Sequence, residues 1–266
     1  MSSLSASSLP GLPEVTTGAD LAELIVAALD AAQPARPLRD GQIVAIAHKA
    51  VSKSEGAVVD LRDVEPSPRA LEMAAEIAVG GRGAEKDPRK DPRAVQVVLD
   101  QSEEILRAVN GVLICRTHHG FVCANAGVDA SNSADPHTLI VLPRDPDTSA
   151  RRIRARLREL TGARVGVLIS DSFGRAWRHG QCDVAIGCAG LTPLEDWRGR
   201  TDSVGRELQA TWLAVADMIA ATADLARAKD SREPVVVVEG LGRFVSEEEG
   251  PGAAALLRPL DEDLFR

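Results

Sequence analysis

The run Ile43-Val44-Ala45-Ile46-Ala47, entered through the Asp40-Gly41 turn and followed by the polar stretch His48 to Ser54, decides the fold class. A half-exposed strand alternates polar and apolar residues, whereas a short unbroken apolar run is the pattern of a strand buried on both faces. Such a strand needs layers of structure above and below it. Outward from it, Val165-Gly166-Val167-Leu168-Ile169 repeats the pattern and runs directly into Ser170-Asp171-Ser172. Val235-Val236-Val237-Val238 is the clearest strand, because β-branched side chains suit a pleated surface. Leu139-Ile140-Val141-Leu142 predicts another, and Val112 to Cys115 with Phe121 to Cys123 predicts a hairpin across His118-His119-Gly120.

Helical spacing marks Asp20 to Leu29 with Thr17 or Asp20 as cap, Ser67 to Val79, Ala94 to Val109, Asp147 to Leu160 with Asp147 or Thr148 as cap, and about Val204 to Arg227. Strands and helices alternate throughout, which predicts an α/β, mixed α+β architecture. GGRGAEKDPRKDPR, residues 80–93, predicts an exposed, mobile connector. The Ser-rich residues 1–10 are expected to be a flexible leader before one folded unit over 11–266. Open α/β sheets bind ligands just past their strand ends, so 48–54, 125–132, 170–175 and 239–243 are the candidate site segments.

Composition removes several function classes. At 266 residues with 44% hydrophobic content the chain can build a sizeable core without disulfides. A net charge of −8 and an aromatic content of 3% without tyrosine argue against nucleic acid as a partner. No apolar run approaches the roughly 20 residues of a membrane helix, and MSSLSASSLPGLPE lacks the features of a signal peptide, so a cytoplasmic protein is expected. Cys115, Cys123, Cys182 and Cys188 show no CxxC spacing and are expected to be reduced and mostly buried.

Only five of the 31 basic residues are lysines, and two of them, Lys49 and Lys53, fall in KAVSK. An ammonium past a buried strand suits a phosphate oxygen, although a solvated lysine fits the pattern as well. No P-loop exists, and Gly240-Leu241-Gly242 has Val245 where a dinucleotide fingerprint needs its third glycine, so a tight turn is the expectation there. Asp129 and Asp171 each follow an apolar strand and sit among small polar residues, which suits a hard cation such as magnesium. Taken singly, either Asp is more often a turn or cap residue than a metal ligand. His118 and His119 read as turn residues, and Arg151, Arg152, Arg154, Arg156 and Arg158 as a solvated helix face. Arg175, Arg178, His179 and Gln181 in GRAWRHGQCD, residues 174–183, fit a substrate-anion site or structural salt bridges.

One family resembles this chain from about Gly11 to its carboxyl terminus. The motifs are GLPEV (11–15), KAVSKSEG (49–56), HGFVCANAGVDASN (119–132), LPRDPDTSARRIR (142–154), SDSFGRAWRHGQCDVAIGCAGL (170–191) and VGRELQATWLAVAD (204–217). They resemble the coenzyme F420-0:L-glutamate ligases. The resemblance implies a GTP-dependent ligase that adds L-glutamate by γ-linkage to coenzyme F420-0 and F420-1 through an acyl phosphate. It implies Mg2+ or Mn2+, with K+ as a further candidate. It also implies two intimately joined lobes around mixed sheets, in an unusual ligase fold that forms an intertwined homodimer. Position by position, Leu12, Pro13, Glu14, Val15, Lys53 and Asn132 match nucleotide contacts, and Asp129 and Asp171 match metal ligands, with Ser172 at a neighbouring hydroxyl position. Catalysis would rest on Asp129, Asp171 and Lys53.

Three positions depart from the family pattern. His48 stands where a serine or threonine usually touches nucleotide, Cys182 where threonine is usual, and Met218 where an acidic residue is common. A chain ending at Arg266 is expected to be the stand-alone form, without the nitroreductase-like domain that some relatives carry. Two other functions compete with ligation: a non-catalytic carrier of the deazaflavin cofactor, and a nicotinamide or flavin oxidoreductase.

Overall fold

In the computed structural model, which describes residues 3–80, 91–131 and 135–263, Ile43–Ala47 is the middle strand of a five-stranded sheet. In chain order the elements are β1 (Ser5–Ser8), α1 (Leu21–Ala31), β2 (Ile43–Ala47), α2 (His48–Ser54), β3 (Val58–Asp60), α3 (Pro68–Gly80), α4 (Pro92–Asp100), β4 (Ser102–Val109), β5 (Val112–Thr117), β6 (Val122–Ala124), β7 (Thr138–Ile140), α5 (Pro146–Thr161), β8 (Gly166–Arg175), β9 (Arg178–Ala189), β10 (Glu195–Asp196), β11 (Trp212–Leu213), α6 (Val215–Leu225) and β12 (Val235–Glu239). The main sheet has the order β1-β12-β2-β8-β9, with β2 and β8 parallel and the other pairs antiparallel. The architecture is mixed α/β, with separate small sheets β3-β7, β10-β11 and β4-β5-β6.

Both faces of β2 are covered, as the unbroken apolar run requires. Val44 and Ile46 pack with Ile25, Leu157 and Ile169 on the side of α1 and α5, while Ile43 and Ala45 pack with Leu168, Ile219 and Val236 on the side of α6. Each fully buried Ile, Leu or Val contributes about 1.5–3 kcal/mol relative to exposure, so these two layers dominate the stability of the sheet. A further apolar cluster joins α3 and α4 to β5 through Ala74, Ile77, Val95, Val98 and Leu113.

Several segments differ from the sequence expectation, each for a local reason. The leader is part of the sheet from Ser5 onward: β1 pairs with β12, and Leu9, 1% exposed, donates its N–H to the Val235 carbonyl at 2.9 Å. Ala94 to Val109 is not one helix, because α4 ends at Asp100 and β4 then pairs with β5. Asn110 (φ 51) and Gly111 (φ 79) make the two-residue turn between those strands, a conformation Asn-Gly adopts at little cost. Residues 204–214 are not helical either. The Asp202 carboxylate accepts the Val204 and Arg206 N–H groups at 2.9 and 2.8 Å around Gly205, and Trp212–Leu213 pairs with Glu195–Asp196.

The cap of α5 is Asp145, whose carboxylate accepts from Thr148 N at 2.9 Å, with Pro146 in the first turn and Gly162 (φ 73) closing the other end. Asp147 instead accepts the N–H groups of Cys188 and Ala253 at 2.8 and 2.7 Å, tying α5 to β9 and to the carboxyl-terminal segment. Among the expected solvated arginines, Arg154 is buried at 4% exposure. It donates to the carbonyls of Val165 and Ser246 and pairs with Glu249. Residues 81–90 of the expected connector lie outside the described residues. Among those described, no helix is long and apolar enough to cross a membrane.

Candidate functional site

The parallel pairing of β2 and β8 ends where β2 ends, with Ala47 opposite Ser170. That is where open α/β sheets place their ligands. Two polar segments expected as loops leave this edge with regular structure. His48 to Ser54 is the short helix α2, and Ser170 to Arg175 continues β8 because β9 pairs with it as far as Arg175 opposite Arg178. Asp171 is thus held by a sheet, which fixes its direction better than a loop would.

α2 contributes three side chains to this edge. His48 is 2% exposed, with Nε2 3.3 Å from Asp171 Oδ1 and Nδ1 3.3 Å from Ser52 Oγ one turn on. The first separation is within ion-pair range, yet the alignment is too oblique for a hydrogen bond and leaves Nε2 without a partner. Lys49 Nζ lies 2.6 Å from both Asp129 Oδ2 and Ser131 Oγ, and Asp129 Oδ1 accepts the Ser131 N–H at 2.6 Å. Asp129 is itself pinned by paired backbone bonds with Ile140 at 3.0 and 2.8 Å. Burial pushes the Asp129 carboxyl up, but the Lys49 ammonium and the Ser131 N–H outweigh it and hold the group below the usual carboxylate range. Asp129 is therefore ionised at neutral pH.

Lys53 pairs with Glu14. The segment carrying Leu12, Pro13, Glu14 and Val15 lies against α2, anchored by buried Val15 and by the Gly18 N–H bond to the Ser54 carbonyl at 2.8 Å. Pro13 and Glu14 remain exposed. Asn132 lies outside the described residues.

Ser172 does not join Asp171. Successive residues of a strand face opposite ways, and the Ser172 hydroxyl donates to Asp183 Oδ1 at 2.5 Å while accepting from Lys229 Nζ at 2.7 Å. Ser170 Oγ, two residues back on the same face, donates to Asp183 Oδ2 at 2.8 Å, and Arg227 pairs with that carboxylate too. Burial pushes the Asp183 carboxyl up, yet Ser172, Arg227 and Ser170 together hold it below the ordinary carboxylate range. Asp183 lies inside the motif of residues 170–191, yet the motif alone assigns it no role. Its one local signal is an ionisable residue at the head of the apolar run Val184 to Ala189.

Other candidates fall elsewhere. His118 and His119 bond the carbonyls of Asp100 and Pro143 at 3.0 and 2.9 Å, and His119 stacks on Phe121, consistent with turn residues. Arg175 and His179 lie on the exposed end of the β8–β9 hairpin, where Trp177 is 84% exposed. Gly240 makes a tight turn (φ 90) beside the Ser3 carbonyl, so the glycines after β12 serve the sheet edge. The cysteines are all free, and burial pushes the Cys123 thiol up to about 12, with the nearby Asp171 charge adding to the shift. A polar cavity of about 250 Å3 lined by Arg36, Arg39, Gln42 and Glu239 sits at the opposite end of β2, away from these clusters. The chemistry of Asp129, Asp171 and the α2 side chains, rather than cavity size, marks the candidate site. Among the described residues no three His, Cys, Asp or Glu side chains already surround one point as a metal would need.

The family model for F420-0:Gamma-glutamyl ligase matches residues 11–240, a span that includes α2, Asp129, Asp171 and Asp183. The chain belongs to this family. It is similar to the coenzyme F420:L-glutamate ligase of Methanothermobacter thermautotrophicus, 42% identical over 257 residues that cover 96% of each chain. The protein of the same name from Methanopyrus kandleri is 44% identical over 255 residues, covering 95% of this chain and 94% of that one. The one from Halobacterium salinarum is 41% identical over 258 residues, covering 96% and 93%. The candidate cluster on the edge beside Ala47 and Ser170, gathered by α2, falls within the span that matches the F420-0:gamma-glutamyl ligase family.

Proposed function

We propose that this chain joins L-glutamate by γ-linkage to coenzyme F420-0 and F420-1, using GTP to activate the acceptor carboxylate. The observation that carries this reading is the convergence of His48, Lys49 and Lys53 from α2 on Asp171, Asp129 and Glu14 within the family match. The terminal carboxylate of the acceptor attacks the γ-phosphorus of GTP, the bond to the β-phosphate oxygen breaks, and GDP leaves. The glutamate amine then attacks the acyl carbon, inorganic phosphate departs, and the nitrogen loses a proton as the amide forms. Little of this is covalent work for the protein, so positioning and charge dominate.

Lys49 and Lys53 suit phosphate oxygens as compact point charges, each now balanced by a carboxylate that a nucleotide would compete with. Leu12, Pro13, Glu14 and Val15, with Lys53 and Asn132, would hold the nucleotide. Asp129 and Asp171 are oxygen donors that fit Mg2+ or Mn2+, and the buried, unpartnered His48 Nε2 beside Asp171 is what a cation there would relieve. A divalent ion so held supplies positive charge to offset the transferring phosphoryl group. K+ as a further ion, an intertwined homodimer and a cytoplasmic setting belong to the same proposal.

Hydroxylamine tests the activated intermediate. Incubated with coenzyme F420-0, GTP and a divalent ion but no glutamate, the protein should yield a cofactor hydroxamate detectable by mass spectrometry. A cofactor carrier or an oxidoreductase would yield none, and neither would a ligase that bypasses an acyl phosphate.

A further inference from the structure

His48 is the least explained polar group at this edge. Its side chain is 3% exposed, its Nδ1 faces the fully buried Ser52 hydroxyl at 3.3 Å, and its Nε2 lies 3.3 Å from Asp171 Oδ1 without a hydrogen bond. A buried imidazole nitrogen left unpaired costs free energy unless something occupies the space in front of it. If Nδ1 carries the proton and donates it to Ser52 Oγ, Nε2 presents a lone pair, and a carboxylate oxygen, also an acceptor, lies 3.3 Å from it. Two acceptors at this distance are reconciled by a cation between them. A histidine ligand whose other nitrogen donates to a fixed oxygen is the usual way a protein sets the tautomer at a metal.

The separation fits as well. Two ligand atoms each about 2.1 Å from one ion, at an angle of about 90–110°, lie about 3.0–3.4 Å apart. The observed 3.3 Å between Nε2 and Oδ1 is within that range.

We infer that His48 is a nitrogen ligand of the divalent cation held by Asp171, so that this chain favours ions that accept imidazole, Mn2+, Co2+ or Zn2+, over Mg2+. The inference rests on Asp171 holding a metal, as proposed above. An all-oxygen site suits Mg2+, whereas one imidazole shifts preference along the first transition row. Lys49, the next residue, pairs with Asp129, whereas His48 faces Asp171.

The test uses the full chain stripped of metal and titrated calorimetrically with MnCl2 or MgCl2, as wild type, His48→Asn and Asp171→Asn. Asparagine can still hydrogen-bond Ser52 but has no atom at the Nε2 position. Wild type should bind Mn2+ at least about tenfold more tightly than Mg2+, and His48→Asn should lose at least about tenfold in Mn2+ affinity while its Mg2+ affinity changes less than about threefold. Pulsed electron paramagnetic resonance of Mn2+ on the wild type should show coupling to one nitrogen-14, a readout that stands even if His48→Asn folds poorly. Absence of that coupling, or unchanged Mn2+ binding by a folded His48→Asn, overturns the inference while leaving the metal role of Asp171 intact. Unchanged Mn2+ binding by Asp171→Asn overturns the metal reading itself, and wild-type protein that binds neither ion overturns both.

Discussion

Asp171→Asn lowers the rate of glutamate ligation by about 10³-fold or more, while the melting temperature stays within about 2–4 °C of wild type. Asparagine has the shape of aspartate and keeps an oxygen for the Ser172 N–H bond, 2.7 Å in the native chain, so the strand and its pairing to β9 have no reason to change. What is lost is one negative charge within β8, just past its pairing with β2 and 3.3 Å from His48. Charge stabilisation of a transferring phosphoryl group by a bound ion is worth several kcal/mol, and each 1.36 kcal/mol is about a factor of ten in rate. Steady-state rates, followed as glutamylated cofactor, and a thermal melt of the same preparations check both halves. A variant that ligates at the wild-type rate removes Asp171 from the chemistry.

Asp183→Ala acts in the opposite way, on the fold. Asp183 is 1% exposed and receives Ser170, Ser172 and Arg227, with Lys229 Nζ 3.6 Å away, so it ties β8 and β9 to the segment after α6. Removing it leaves the nearly buried Arg227 guanidinium without its main partner, and breaking a buried pair in this way costs about 3–5 kcal/mol. The pH dependence has a definite sign. The folded-state pKa of Asp183 is depressed, so its contribution is complete above the unfolded value of about 4 and fades as pH falls through the folded one. Urea unfolding should therefore show the largest gap between wild type and variant near neutral pH, narrowing below about pH 4. A gap under about 1 kcal/mol at pH 7 would mean that the cluster does not carry the stability assigned to it.

The sheet was legible because its central strands are buried on both faces. Ile43 to Ala47 and Val235 to Val238 could be placed from their side chains alone, since burial on two faces leaves no polar residue in the run. Segments whose conformation depends on a distant partner could not be read this way. Ser170 to Arg175 is polar and looks like a loop, and it is a strand only because β9 pairs with it. His48 to Ser54 is too short for helical periodicity, and its form follows from its start at the end of β2. The split of Ala94 to Val109 is a different case, because Asn110-Gly111 is a hairpin signal present in the sequence and the apolar period on either side masks it.

The site divides along the same line. Asp129, Asp171 and Lys53 are found by motif, each just past an apolar strand. Their partners Lys49, His48 and Glu14 are set by tertiary packing, and so is the turning of Ser172 away from Asp171 toward Asp183. Residue order therefore gives the donors, and only the sheet says which of them share a face.

The most direct test of the ligase reading is mass spectrometry of purified protein incubated with coenzyme F420-0, GTP, L-glutamate and a divalent ion. A ladder of cofactor masses spaced by one glutamyl residue, absent when GTP is omitted, is the predicted result. Tight cofactor binding with no glutamyl increment under any of these conditions would contradict it.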